Sequence, residues 1–399
     1  MDKLMLYSVF LFSFFLIIGS KFNNIYIYGS SFMCFMYIMY IFLNIIKIKY
    51  IKISITKREL MMVSLLIIYM IFTSILGLYI GIENKSIYKV IFNNLYIFTF
   101  VIMLIYPLWN NNFSVKFANV FGYSFIFIGL IGLLMYVLGI YAVRISFNPP
   151  FFNPYDKTAM LNFFGEIRFQ SIFSHKTKYA FYCLIGIFIL RINPTFSIKM
   201  KFFGIIILVV NIILTNSIMS LIALSILMIS FVDYKKINKY FRYIIFLIIS
   251  LVISMCGIII YNYTSNVRNL DTWGSRKYIW DNALEFFGEN PIGVIDNWYL
   301  YKIGDSFQGA HNVFLNELLD YGITGGILFL LIYLLLFYNL FRIDKRTLGL
   351  FLAVTTIFMI DNVLYYDMVP VFWFLYVVIK IILDGKKTLS DLGEEIKGD

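Results

Sequence analysis

Long apolar runs decide what this chain can become. Stretches of 18 or more apolar residues recur along its length. Each can cross a hydrocarbon core of about 30 Å as a helix. Charged residues fill only 14% of the 399 positions and hydrophobic ones 61%, where a soluble domain carries about 25% charged residues. Transmembrane β-strands would read as alternating segments of roughly 10 residues, and no such alternation is seen. The expectation is therefore an all-α, polytopic integral membrane protein with about twelve transmembrane helices. Spans are placed at about 4–19, 25–46, 60–80, 88–109, 117–140, 178–192, 201–214, 217–232, 242–261, 323–341, 347–362 and 369–384. The first is read as a retained helix, because other spans follow at once and no A-x-A cleavage site stands out. Spans 201–214 and 217–232 are short and meet at Thr215-Asn216-Ser217. They read as a helical hairpin that turns near one membrane face.

The loops between spans set an orientation. "KIKYIKISITKRE" (47–59), "RINPTFSIKMK" (191–201), "DYKKINKYFR" (233–242) and "FRIDKR" (341–346) fall on one side of this topology. Short loops rich in Lys and Arg stay in the cytoplasm, so both termini are expected there too. The formal net charge of +11 then reports topology. It gives no support for nucleic-acid binding, which needs a basic stripe on a soluble face. Cys34, Cys183 and Cys256 each lie within an apolar run and form no C-x-x-C pair. They read as buried small hydrophobes, without a disulfide framework or zinc site.

Two loops on the opposite, outer side are long, about 141–177 and about 262–322, and loops of that length are usually functional or disordered. "FNPPFFNPYD" in the first is extended and turn-rich, because Pro149, Pro150 and Pro154 disfavour helix around them. "SRKYIWDNALEFFGENPIG" in the second predicts a helix. Ser275 is its N-cap, Tyr278, Trp280, Ala283, Leu284 and Phe287 form its apolar face, and Gly288 with Pro291 stops it. It is expected to lie along the membrane surface.

The chemistry-bearing residues gather in these loops. His311, one of two histidines in the chain, opens a short helical segment that Gly322 ends. The positive end of that helix dipole favours a neutral imidazole, the form a general base needs. A surface histidine bonded to a loop carbonyl would look the same in sequence. Arg168 and Arg276 lie on the same outer side, and a guanidinium forks onto phosphate oxygens. Ion pairing, with Glu166 and Asp281 as candidate partners, is the competing reading. Asp361 and Asn362 end a span at the outer face, where solvation also suits a carboxylate. His175, Lys176 and Lys178 read as a basic cluster snorkelling to the interface.

Five stretches, taken together in order, resemble the O-antigen polymerase and ligase superfamily of bacterial envelope glycosyltransferases. They are "RFQSIFSHKTKYA", "LTNSIMSLIAL", "RKYIWDNALEFFGENPIG", "HNVFLNELLDYGITGGILFLL" and "DNVLYYDMVPVFWFL". The likeness covers roughly residues 168–375. The chain departs from the pattern where Ile218 follows Ser217 in place of an arginine, at Gly293-Val294-Ile295, and at Lys176-Thr177, where a Pro-Asn pair is common.

The resemblance implies a GT-C-like helical fold and transfer of an oligosaccharide from undecaprenyl pyrophosphate, with no cofactor, nucleotide sugar or required metal. It implies His311 as the catalytic base, with Arg168, Arg276, Asn312, Ser217 and Asp361 binding substrate. Expected partners are a lipid-linked donor and acceptor, membrane lipids and a chain-length regulator, with no nucleic acid. The organisation expected is residues 1–140 as N-terminal membrane helices and 141–399 as a polymerase- or ligase-like core on the inner membrane. Polymerase is favoured over ligase, because the Ile-, Asn- and Lys-rich, AT-biased composition suits an organism without lipid A. A transporter or flippase is the alternative class. It would place ionisable groups near the membrane midplane, whereas here they cluster in the outer loops.

Overall fold

The computed structural model describes residues 38–39, 56–80, 86–105, 111–145, 152–164, 167–173, 175–232, 276–295, 309–361, 363–364, 372–373 and 376–383. The expected spans 4–19, 25–46 and 242–261, part of 369–384, and the side chains of Ser275, Glu166 and Asn362 lie outside the described residues.

Helices dominate. The first three are α1 (Lys57–Ile80), α2 (Ser86–Ile105) and α3 (Asn111–Val137). A hairpin of β1 (Ala142–Ile145) and β2 (Phe152–Tyr155) follows, then α4 (Lys157–Phe164). After it come α5 (Lys176–Ile192), α6 (Ile198–Leu214), α7 (Ile218–Ser230), α8 (Arg276–Glu289), α9 (Val313–Ile343) and α10 (Thr347–Phe358). Residues 376–383 are helical as well. The antiparallel hairpin, with Val143 opposite Pro154, departs from a purely α fold. It forms in the proline-rich stretch that sequence reads as extended.

Nearly every residue of α5 is buried, so this helix is the centre of the bundle, apolar on all sides. It runs antiparallel to α6: a Cβ on Gly186 would touch Leu208 and one on Gly204 would touch Leu190. Asn211 on α6 donates to the Gly129 carbonyl of α3 at 2.9 Å, within the bundle. α7 and α10 are also antiparallel, since Gly349 packs on Ser230. The α6–α7 turn is the expected hairpin, with Asn216 at φ 51.

These contacts give the bundle two distinct ends. One gathers Lys57, Arg58, Arg191, Lys199, Lys201, Arg342, Lys345 and Arg346, from three of the four basic loops expected to share a membrane face, together with Lys380. A capping box starts α1 there: the Thr56 amide donates to Glu59 Oε2 (2.9 Å) and the Glu59 amide donates to Thr56 Oγ1 (3.3 Å). Lys380 pairs with that same buried Glu59, tying the last described helix to α1. The opposite end carries the polar loops.

Helix length sets the depth of that polar end. Lys57–Ile80, Asn119–Val137 and Val313–Ile343 are long and apolar enough to cross a membrane. By contrast α7 has 13 residues and α10 has 12, or about 20 and 18 Å of helix. The expected span 347–362 is thus helical only to Phe358. Both helices begin or end at the basic end, so their far ends stop short of a full crossing.

α9 is two helices folded on each other. Gly322 breaks it, at φ 64 and ψ −171. The ring of Phe314 lies 5.3 Å from Tyr333, and a Cβ on Gly326 would sit 3.0 Å from Leu318 Cδ1. In a straight helix residues 314 and 333 would be roughly 28 Å apart. Residues 313–321 therefore run back alongside 323–333 as a re-entrant hairpin. The Asn290–Ile295 loop locks its tip. The amides of Val294 and Ile295 donate to the carbonyls of Leu319 and Asp320, and Ile323 N donates to the Pro291 carbonyl. A Cβ on Gly322 would meet Ile292 O at 2.2 Å, and one on Gly293 would meet Gly322 N at 2.4 Å. The glycines of "ENPIG" and "YGITGG" are the mutual contact between two distant segments.

α8 buries part of the face its periodicity predicts, turned toward Ile279 and Phe286. Ile279, Ala283 and Phe286 pack with Ala310 and Leu319, flanked by Trp280, Phe287 and Leu315. Tyr278 and Leu284 are exposed. The helix faces the re-entrant hairpin, a partner that local periodicity cannot reveal.

Candidate functional site

The site forms where the short helices end. Asp361 lies just beyond α10, with Ile357 O accepting its backbone amide at 3.0 Å. Its Oδ1 is 3.5 Å from His311 Nδ1, and its Oδ2 is 3.5 Å from His175 Nδ1. Both histidines of the chain thus converge on one carboxylate, from segments 50 and 186 residues away in sequence.

Each arm has a structural reason to be there. The chain reaches His311 through Gly309 at φ 93, and His311 itself has φ 50. A left-handed backbone at a non-glycine residue costs free energy that its surroundings must offset. The offset comes from Ala310, fully buried, whose amide donates to Asn316 Oδ1 and whose carbonyl accepts from Trp280 Nε1, each at 2.8 Å. Asn312 caps the hairpin helix, its Oδ1 accepting from Leu315 N at 3.0 Å, while its Nδ2 donates to the Met359 carbonyl at 3.1 Å. Arg276 Nε donates to the Ile360 carbonyl at 3.1 Å. These two side chains satisfy carbonyls at the C-terminal end of α10, where cations are favoured. They also tie the His311 and Arg276 segments to the backbone beside Asp361.

His175 is the N-cap of α5, its Nδ1 accepting from Thr177 N at 3.3 Å. The preceding segment is held by Gln170 N donating to the Tyr141 carbonyl at 3.0 Å and by the Ala142–Ser171 bridge. That anchorage brings Arg168 within electrostatic range of His175, alongside Lys176 and Lys178. Ser217 enters by register. α7 and α10 meet at Ser230 and Gly349 and run antiparallel, so Ser217 is level with Asp361. It is buried and its hydroxyl accepts from Ser220 Oγ at 2.8 Å.

The electrostatics follow from this crowding. Burial raises the Asp361 carboxyl, but the charges of His175 and His311 and hydrogen bonds from His311 and Thr177 outweigh it. The group is held well below the usual carboxylate range. Burial pushes the His175 imidazole below its ordinary value. Asp361 pulls it up, and the charges of Arg168, Lys178 and Lys176 push it down again. Among the described residues the site sets the Asp361 carboxylate among two imidazoles and the cations Arg168, Lys176, Lys178 and Arg276. Among the described residues no group of three or more His, Cys, Asp or Glu side chains is placed to hold a metal ion.

Such an arrangement can activate a hydroxyl and hold an anion. With Nδ1–H of His311 directed at Asp361, the Nε2 lone pair is left to accept a proton. The 3.5 Å separation lies at the long limit of a hydrogen bond.

The structure therefore brings His311, Asp361, Asn312 and Arg276 into contact with one another or with adjacent backbone. Arg168 stands near His175, and Ser217 lies at the same level. His175 was missed by local reading, which grouped it with two lysines at the interface. The signal available was scarcity: a chain with two histidines places both near the same membrane face.

Residues 203–330 match the family model described as O-Antigen ligase. That stretch holds α7, α8, the hairpin of α9 and most of α6, and includes Ser217, Arg276, His311 and Asn312. The match covers about a third of the chain and agrees with the resemblance to the O-antigen polymerase and ligase superfamily. No curated protein matches the chain.

Proposed function

We propose that the protein is a membrane glycosyltransferase that polymerises lipid-pyrophosphate-linked oligosaccharide repeat units into O-antigen or capsular polysaccharide. The observation that carries this reading is His311 paired with Asp361 beside Arg276. The acceptor hydroxyl oxygen attacks the anomeric carbon of the donor sugar. Its proton passes to His311 Nε2, and the bond from the anomeric carbon to the pyrophosphate oxygen breaks with its electron pair. Arg168 and Arg276 hold the departing pyrophosphate. Fixed cations in a water-poor site are worth several kcal/mol of barrier. A single displacement inverts the anomeric carbon. No second carboxylate is required of the kind that glycoside hydrolysis uses, since pyrophosphate is already a good leaving group.

The outer face of the cytoplasmic membrane is the working side in this reading, with the basic end of the bundle in the cytoplasm. The test is a gel of surface polysaccharide from cells lacking the protein. Single attached repeat units are expected. Unattached long chains would instead make it a ligase, and repeat units retained inside the cell would make it a flippase. His311→Ala at normal membrane levels should reproduce the null pattern, and normal chain lengths from that variant would overturn the reading.

A further inference from the structure

The base proposed above does not have Asp361 to itself. Oδ1 faces His311 and Oδ2 faces His175, each at 3.5 Å. His175 presents to Asp361 the same nitrogen, Nδ1, that caps α5 by accepting from Thr177 N at 3.3 Å. One nitrogen cannot serve both partners in the same protonation state. With a lone pair on Nδ1, His175 caps the helix and leaves the carboxylate to His311. With a proton on Nδ1, it donates to Asp361 and the cap is lost.

We propose that His175 is a positioning residue for His311, the two imidazoles competing for Asp361, so that the protonation of His175 sets how much of that carboxylate His311 can use. This rests on the reading of His311 as the base. As His311 takes the acceptor proton it becomes a cation, and Asp361 stabilises that cation. A protonated His175 has already compensated the carboxylate, and His311 is then the weaker base. The other groups facing His175 act against its protonation. Arg168 comes from the loop before α5, and Lys176 and Lys178 come from α5 itself. Behind Asp361 stand His311 from the segment before α9 and Arg276 from α8. Asp361 is the one anion among them. At working pH the cluster keeps His175 in its capping form and reserves Asp361 for His311. Acid reverses this and weakens the base through the shared carboxylate.

The chain has only two histidines, so 15N-histidine labelling of the full-length protein in lipid nanodiscs observes the site alone. At neutral pH His175 should show an unprotonated Nδ1. Because two sites that share a partner titrate as a linked pair, His311→Asn should raise the titration midpoint of His175 by about half a pH unit or more. His175→Asn should do the same for His311, and asparagine retains the helix cap. Midpoints that ignore the other substitution would overturn the proposal. Activity gives a second reading, using lipid-linked repeat units extracted from null cells. The wild-type rate should fall more steeply than that of His175→Asn over the pH range in which His175 protonates, beyond the tenfold loss per pH unit that one titrating base gives. Equal slopes would overturn the role of His175. An active His311→Ala protein would instead overturn the base assignment, whatever the midpoints show.

Discussion

Asp361→Asn isolates the charge on which the proposed base depends. Asparagine is nearly isosteric and can still accept from His311 Nδ1, so packing beyond α10 is retained while the anion is lost. Two unit charges 3.5 Å apart interact by roughly 5 kcal/mol at an effective dielectric near 20. The His311 side chain is 32% exposed and Asp361 13%, and solvent screening at that exposure reduces the gain to about 2–3 kcal/mol. This gain is realised when His311 becomes a cation, so the loss belongs to the transition state. At 1.36 kcal/mol per decade it is a drop of about 30- to 150-fold in kcat, with little change in KM. The assay is the initial rate of polymer growth by purified protein on lipid-linked repeat units, with protein amounts matched. The substitution should add nothing to His311→Ala, because the two residues act as a unit. A rate within fivefold of wild type, or full additivity with His311→Ala, would refute the reasoning.

Arg276→Lys keeps the charge but loses the planar fork that anchors on the Ile360 carbonyl. Polymer synthesis should fall at least tenfold while protein levels hold, and unchanged synthesis would remove the guanidinium from the mechanism. Trp280→Phe leaves the Ala310 carbonyl without its 2.8 Å donor at a cost of about 1–3 kcal/mol. The His311 turn should loosen, lowering kcat more than it raises KM in the same polymer assay. Gly322→Ala forces a side chain onto Ile292 O at φ 64, costing about 3 kcal/mol in a backbone region reserved for glycine. A lower melting temperature in detergent and faster proteolysis near residue 322 should report it. Acid should destabilise the fold in two phases. His175 lies below its ordinary value near 6.5, so the unfolded chain binds that proton first and stability begins to fall as pH drops through about 6.5. Asp361 lies below its ordinary value near 3.8. Its contribution is intact above about pH 4 and is lost on further acidification. Thermal melts against pH should lose the second phase in Asp361→Asn.

Sequence exposed one side of this site and concealed its pairing. His311, Arg168, Arg276 and Asp361 could each be placed near one membrane face, because apolar runs and basic loops count out a topology. Which of them touch is a matter of helix packing across 50 to 186 residues, and no local pattern encodes it. His175 shows the cost of local reading: beside Lys176 and Lys178 it looks like an interfacial cation, yet its partner is Asp361. The α8 face was legible only in part for a related reason. Several apolar stripes fit a helix with so many aromatics, and the surface it meets, the hairpin around Gly322, selects Ile279, Ala283 and Phe286. The hairpin was legible only in part, since Gly322 marks the break but a single glycine does not give the direction in which the chain resumes.

The short helices give the candidate site its setting. α7 and α10 start or finish at the basic end and stop after about 20 and 18 Å, while the 24 residues of α1 continue for roughly 36 Å. Tyr69, near the middle of α1, donates to Glu317 of the re-entrant helix at 2.8 Å, so that helix dips beside α1 well below its far end. Asp361, His175, Ser217 and His311 sit at the level where the short helices run out, with longer helices rising past them. A polar floor recessed among apolar walls is a low-dielectric setting for charge. There, each cation around Asp361 acts more strongly on an anion than it would in open water. The desolvation that makes such a cluster costly is lessened because Asp361 is paired on both oxygens. In the proposed function, the same recess takes a lipid-linked donor along the bilayer plane and a sugar hydroxyl from the aqueous side. The recess itself follows from two helices of 13 and 12 residues that stop short of a full crossing.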